Sequence, residues 1–559
     1  MNAKASRVRK LALVSTALLA SAGTVATAQS QGDPWYSITG EELADLIETL
    51  ASDEFEGRES GTEGGRRTTR FLAEQFTALG LEPGVRGSYF QPVPLVKLTR
   101  RDPGDLAIRF GGKRLKFAPS AEFITFPGSS KGGGAIADAP LVFVGHGITA
   151  PEFGWDDYTD TDVRGKVVVV LRGEPARDGD DSFFMGRELT DHAQISNKMK
   201  RAAENGALGA ILVHTEASAG WPWSLLAEGS SSLTQMMLDK QDDSPTLIVN
   251  AQISEVAAKK LVHAAGGDFD ALVAQAATTP GATALNASLS MGYRGTHSTI
   301  TSDNVIGKIT GSEAPDECVV YTAHWDHVGV DPKAKGDGVH NGAVDNATGT
   351  AALIEIAEAF KMMDPAPRRT VVFVATAAEE KGLYGAEHYI TDPVCSLGKT
   401  AAVLNMDSHF PFGPQKAMTV PGFGFVEVQD YFIAPAGRAG RVLQADTNPE
   451  VGGFFRNDAY PFIAAGVPAI YAVGSPLEEE LTPDSAILAK YIDYVTRRYH
   501  KPADEFDRAT WDMRGMEQDF RIFFDAGRAL AQTHAFPNFR PDLPWRKLRD
   551  EMRKEAEGE

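Results

Sequence analysis

The sequence predicts an α/β fold in which helices cover both faces of a largely parallel sheet. Three observations predict it. After residue 296 short apolar strands alternate with helices, the pattern of a buried parallel sheet. Residues 136–280 carry a second set of short apolar runs, so they read as a unit of a different kind. The helical stretches near the N-terminus are not followed immediately by strands of their own and need an apolar partner. At 559 residues the chain exceeds one compact core, and its 43% apolar and 23% charged residues exclude a disordered, collagen-like or coiled-coil chain.

Residues 1–28 read as an export signal. Lys4, Arg7, Arg9 and Lys10 form a basic start, Leu11 to Ala20 an apolar run, and Ala26-Thr27-Ala28 a cleavage site. The run is too short to span the ~30 Å of bilayer hydrocarbon, and no Cys follows it to carry a lipid anchor. The expectation is an exported protein, periplasmic or secreted, with no membrane span in its mature form. Glu41 to Leu81 looks helical, with Leu43, Ile47 and Leu50, then Phe71, Leu72, Phe76 and Leu79, at helical spacing. Between them Gly57 to Gly65 is a loop too glycine-rich to continue a helix, and Gly80 with Pro83-Gly84 stops the second stretch. From Tyr89 to Phe126 β-prone runs take over, and Lys131 to Gly134 marks a boundary. Within 136–280, Leu141 to Ile148 and Lys166 to Leu171 suit buried strands, and Lys198 to Asn205 a helix feeding the strand that ends at Val213. Nothing there pairs acids or a nucleophile with a base, and His146, His192 and His214 read as scattered surface or core residues. Further on come a strand at Cys318 to Ala323, a helix at Thr348 to Met362, a strand at Arg369 to Thr376, a helix at Gly385 to Thr391 and a strand at Ala401 to Met406.

With 55 basic and 75 acidic residues the formal charge is −20, which argues against a nucleic-acid partner. Removing the signal takes four basic residues and no acid, leaving −24. Cys318 and Cys395 cannot build a disulfide scaffold or a four-thiolate zinc site. A single disulfide between them and two buried free thiols are both open readings. A bound metal must therefore be held by carboxylates and histidines.

Three successive strands end in such groups: His324-Trp325-Asp326-His327 after the first, Glu379-Glu380 after the second, and Asp407 after the third. Asp345 lies in the loop leading to the intervening helix. Ligands bind beyond the carboxyl ends of strands in sheets of this kind, and several carboxylates converging on one crevice repel unless a cation sits among them. His nitrogen and carboxylate oxygen suit catalytic zinc. A bridging carboxylate lets about five ligands serve two ions, and of two neighbouring glutamates one can ligate while the other accepts a proton.

These pieces resemble the di-zinc aminopeptidases, the family that includes glutamate carboxypeptidase, the transferrin receptor and glutaminyl cyclase. The resemblance rests on Ala323-His-Trp-Asp-His327, Asn341-Gly-Ala-Val-Asp-Asn-Ala-Thr-Gly349, Ala378-Glu-Glu-Lys-Gly-Leu-Tyr-Gly385, Asn405-Met-Asp-Ser408 and Tyr499-His-Lys-Pro-Ala-Asp504, in this order. It implies a mixed, largely parallel sheet sandwiched by helices (the zinc exopeptidase fold), with an inserted β-rich protease-associated domain at 136–280. The catalytic domain would then be split into residues 29–135 and 281–540, followed by a charged tail at 541–559 that extends from the body. It implies two Zn²⁺ ions, one held by His324 and Asp407, the other by Glu380 and His500, with Asp345 bridging. Glu379 would be general base and acid, Asp326 would orient His324 by accepting its other N–H, and Tyr499 would donate to the oxyanion. His327, His340, His388 and His409 are not called on, and Asn457-Asp458 departs from the family's usual Ser-Asp. The implied activity is that of an exported metallo-aminopeptidase acting on peptides with a free N-terminus. The alternatives are a metallocarboxypeptidase, for which Arg438, Arg441 and Arg456 could supply a basic pocket, a glutaminyl cyclase, or an inactive receptor-like relative.

Overall fold

The computed structural model describes residues 32–558 except 103, 131, 133, 176–182, 230–233 and 240–243. The expected export signal at 1–28 lies outside the described residues. Among those described, no helix is long and apolar enough to cross a membrane.

Eight strands form the main sheet: β1 (Glu82–Pro83), β2 (Phe90–Arg100), β3 (Thr234–Leu238), β4 (Gly295–Ile309), β5 (Ala314–His324), β6 (Arg369–Thr376), β7 (Thr400–Asn405) and β8 (Ala469–Tyr471). Their order is β3-β2-β4-β6-β5-β7-β8, with β1 added against β4. β6, β5, β7 and β8 run parallel, while β4, β2 and β3 are joined antiparallel, so the sheet is mixed. Every residue of β6 and β7 is buried, as the unbroken apolar runs require of strands covered on both faces.

The covering helices include α1 (Gly40–Leu50), α2 (Glu63–Ala78), α3 (Thr348–Lys361), α4 (Arg514–Gln532) and α5 (Pro544–Glu557). Leu43, Ile47 and Leu50 of α1 and Leu72 and Phe76 of α2 join the same core as Val319, Val371 and Val403 of the sheet. The early helices thus find their apolar partner in strands formed more than 200 residues later. Thr62 caps α2 by accepting from the Gly65 N–H at 3.2 Å. The helix therefore starts inside the expected glycine loop. A Cβ at Gly64 would lie 2.2 Å from the Phe55 carbonyl oxygen, so the glycine is there for close approach to the preceding turn.

A second sheet runs in the order Lys113–Lys116, Asp105–Phe110, Thr283–Gly292, Ala135–Phe143, Val167–Leu171, Gly209–His214, Val249–Ser254, Phe123–Pro127. It begins at Asp105, ahead of the expected boundary at 136, because Leu106, Ile108 and Phe123 bury into its core and not into the main one. β3, conversely, comes from the middle of the expected insert yet pairs with β2 of the main sheet.

Two further expectations are settled. Cys318 and Cys395 form a disulfide. The C-terminal segment is docked and does not extend: α5 buries Trp545, and its Arg549 donates to the carbonyls of Leu397 and Thr400 at 3.1 and 2.8 Å. Trp545 and Arg549 lie on its packed side, while Lys547, Leu548 and Glu551 face solvent.

Candidate metal centre

Strand register assembles the site. His324 is the last residue of β5 and lies opposite Thr376 of β6, while Thr322 lies opposite Asn405 of β7. Glu379, Glu380 and Asp407 follow within a few residues and emerge at the same sheet edge. Asp345 arrives from the turn before α3. That turn needs Gly342, whose φ is +56° and whose Cβ, if present, would stand 2.5 Å from the His327 ring.

The carboxylate of Asp345 divides its oxygens between two groups. Oδ1 is 3.3 Å from His324 Nε2, and Oδ2 is 3.2 Å from His500 Nε2. On the first side, Asp407 Oδ1 is 3.3 Å and Glu379 Oε2 3.9 Å from His324 Nε2. On the second, Glu380 Oε2 is 3.0 Å from His500 Nε2. His327 joins this side, with Nδ1 2.6 Å from Glu380 Oε1. The contact lacks hydrogen-bonding geometry, so both atoms, and His327 Nε2, are buried without a partner. Donor atoms of His324, Glu379 and Asp407, and separately of His327, Asp345 and Glu380, lie within 4.8 Å of one another. Two His-carboxylate groups sharing one carboxylate, with orphaned buried ligand atoms, fit a pair of divalent cations.

Residues 304–520 match Peptidase family M28, and residues 137–261 match the PA domain. The chain carries a Peptidase family M28 region and an inserted PA domain. A solved aminopeptidase from Aneurinibacillus sp. strain AM-1 shares the fold at 18% identity and TM-score 0.51, covering 90% of this chain and 96% of that one. Mouse Aminopeptidase NAALADL1 is 37% identical over 19% of this chain and 14% of its own length. The Probable glutamate carboxypeptidase LAMP1 of Arabidopsis thaliana is 32% identical over 32% of this chain and 23% of its own. The chain thus spans less than a quarter of either curated relative's length. His324, His327, Asp345, Glu379, Glu380, Asp407 and His500 all lie within the segment that matches Peptidase family M28.

The M28 site is charged in a way that calls for cations. Burial and the charges of Asp407, Glu380 and Asp458 push Glu379 well above the usual carboxylate range, against the pull of His324. Burial would raise Glu380 too, but His500 and His327 hold it well below. Burial would lower His324 and His500, yet the carboxylates around them hold both imidazoles far above their ordinary value. Protonated imidazoles supply positive charge that a metal ion supplies more effectively.

Asp326 does not orient His324 in the expected way. His324 Nδ1 meets the Asp326 backbone carbonyl at 3.0 Å, and the nearest carboxylate oxygen is 4.0 Å away. The chain turns after β5 so that the carbonyl faces the imidazole, while the side chain crosses to β6 and its Oδ1 accepts the Glu379 backbone N–H at 3.0 Å. Asp326 therefore fixes the backbone of Glu379. Its carboxyl is raised to about 7, chiefly by burial. Tyr499 stacks on the His500 ring with centroids 3.9 Å apart, and burial raises its hydroxyl above the ordinary value.

Asp458 is buried and accepts from the Thr376 hydroxyl, with its other oxygen unpaired. Asp504 accepts from the backbone N–H groups of Val344 and Asp345, each at 3.2 Å, and so sets the turn that carries Asp345. Arg58 is fully buried beneath the site and donates to the carbonyls of Leu50, Trp325, Asn341 and Gly342 at 2.5–2.9 Å. His409 is buried too, but pairs with Asp519 away from the crevice at 2.8 Å. His340 Nδ1 meets the His500 carbonyl at 3.1 Å. Of the three arginines considered for a basic pocket, Arg438 is neutralised by Asp525 and Arg441 by Asp519, which leaves Arg456.

Sequence reasoning missed His327 and Arg58. His327 sits three residues after His324 with no strand to aim it, and its ring fits because residue 342 is a glycine. Arg58 carries no local signal, because its four acceptors come from three separate segments.

Proposed function

We propose that this chain is an aminopeptidase that binds two zinc ions and removes N-terminal residues from peptides. The observation that carries the reading is Asp345, whose two oxygens face two separate His-carboxylate groups. His324 and Asp407 would hold one ion, His500 and Glu380 the other, with Asp345 between them and His327 beside Glu380. Ions held there supply Lewis acidity and make water easier to deprotonate.

The chain's own groups do the rest. Glu379 Oε2 accepts the proton of the attacking water and passes it to the leaving amine. Asp326 keeps Glu379 in place through the backbone N–H. Tyr499, kept protonated because burial raises its pKa, donates to the oxyanion. Asp407, Glu379 and Asp458 gather carboxylates on the His324 side of the site. This negative surplus attracts a free α-ammonium and supports N-terminal over internal cleavage.

Purified protein with zinc should release the chromophore from aminoacyl anilides and leave N-blocked dipeptides intact. Release only from the blocked substrates would replace this reading with a carboxypeptidase. The same preparation tests export, because N-terminal sequencing of protein recovered outside the cytoplasm should begin after Ala28.

A further inference from the structure

Glu379 stands on a backbone that is not at rest in an ordinary minimum. Ala378, just before it, has a φ of +54°, and Leu383, on the far side of the turn, one of +61°; both lie in the left-handed region that residues with a Cβ rarely adopt. Residues 377–379 follow β6 but belong to neither a strand nor a helix, so their N–H groups need partners from elsewhere.

Three successive N–H groups are each met by a side chain from a different part of the chain. Ala377 donates to Asn304 Oδ1 at 2.9 Å, Ala378 to Ser60 Oγ at 3.0 Å and Glu379 to Asp326 Oδ1 at 3.0 Å. Asn304 belongs to β4, Ser60 to the glycine-rich loop before α2, and Asp326 to the turn after β5. All three are fully buried. The support extends outward. Asn304 Nδ2 donates to the Gly385 carbonyl and to Gln91 Oε1, each at 2.9 Å. A Cβ at residue 385 would stand 2.5 Å from Asn304 Oδ1 and 2.4 Å from the Ala377 carbonyl oxygen, so only glycine lets Asn304 reach the Ala377 N–H. The glycine-rich loop meets the segment a second time, where Glu59 Oε1 lies 3.6 Å from Lys381 Nζ. The Glu379 carbonyl accepts from the N–H groups of Gly382 and Leu383 at 2.8 and 2.9 Å, which closes the turn on its other side.

We propose that Ser60 and Asn304 are positioning residues for the reaction: with Asp326 they hold the left-handed turn at Ala378 and so fix where Glu379 presents its carboxylate. Both are fully buried, so their effect passes through the backbone and not through contact with substrate. The glycine-rich loop thereby gains a task in the site beside that of Arg58. Without Ser60 Oγ the Ala378 N–H is left buried and unpaired, and the residue relaxes towards negative φ, which rotates the peptide planes beneath Glu379. A displacement of about 1 Å is enough to cost about 100-fold in rate. The inference rests on the reading of Glu379 as the group that moves the proton.

The test compares Ser60→Ala and Asn304→Ala with Thr68→Ala in the zinc-loaded, full-length protein. Thr68 is equally buried on α2 and its hydroxyl donates to the Gly64 carbonyl at 2.9 Å, so its loss weakens the same region without touching residues 377–379. Ser60→Ala should lower kcat for an aminoacyl anilide about 10–100-fold, with KM within about twofold of the wild type and zinc per chain unchanged. Asn304→Ala should lower kcat in the same direction. Hydrogen exchange in the peptide covering residues 377–385, read by mass spectrometry, should be faster in Ser60→Ala than in the wild type. Thr68→Ala should leave kcat within about twofold and that exchange unchanged. Wild-type kcat or wild-type exchange in Ser60→Ala, an equal fall in kcat in Thr68→Ala, or zinc lost in proportion to the rate would overturn the positioning role. Undiminished turnover in Glu379→Gln would instead overturn the reading of Glu379 on which it rests.

Discussion

Glu355 lies on α3, the helix that follows the Asp345 turn, and is 4% exposed with Oε2 unpartnered. Burial, reinforced by Glu42 and Glu358, raises its carboxyl from 4.5 to about 8. Between those pH values the folded chain keeps a proton that the unfolded chain has lost. Stability therefore falls as pH rises through the window and levels off above it. A shift of that size corresponds to on the order of 5 kcal/mol. Glu355→Gln keeps the shape and removes the titration. Its stability relative to the wild type should be near zero around pH 4.5 and should grow to roughly that figure by pH 9. Urea unfolding of both proteins at a series of pH values reads this difference directly, and contributions from every other titrating group cancel in it. Identical pH dependence in the two proteins would refute the claim that Glu355 is buried in its neutral form.

Arg58→Met removes donors from four carbonyls, three of which (Trp325, Asn341 and Gly342) belong to the segments carrying His324 and Asp345. It should cost about 3–5 kcal/mol of stability and weaken zinc affinity about 10–100-fold, measured by unfolding and by competition with a chromogenic chelator; affinity equal to wild type in the folded variant would contradict the clamp. Cys318 and Cys395 close a loop of 77 residues, so reduction or Cys395→Ser should lower stability by about 4–5 kcal/mol on the chain-entropy account. Reductant without effect on the unfolding midpoint would argue that the bond is absent in solution.

The catalytic half of the fold was legible because its signals are local. Apolar runs at 318–323, 369–376 and 401–406 leave little choice but buried parallel strands, and each is followed within five residues by a ligand-type side chain. That regularity points to His324, Glu379, Glu380 and Asp407 from the sequence alone. The junction between the two sheets was not legible. The β-prone runs at 105–127 pair with strands as distant as Thr283–Gly292, and Thr234–Leu238 leaves its surroundings to join β2. Neither choice is written in the spacing of residues; both depend on which core has room. Asp326 shows the same limit at smaller scale. Its place two residues after His324 was readable, but whether the carboxylate or the carbonyl meets the imidazole is decided by the turn. The C-terminal segment misled because its charge is dense, while the buried Trp545 and Arg549 that dock it are sparse.

The central claim is a two-ion site in which Glu379 moves the proton. Metal content per chain, measured by plasma mass spectrometry on the wild type and on Glu379→Gln, together with turnover of an aminoacyl anilide by the same samples, tests it most directly. Close to two zinc ions are expected in both proteins, with hydrolysis only in the wild type. One ion or none in the wild type, or undiminished turnover in a metal-replete Glu379→Gln, would contradict it.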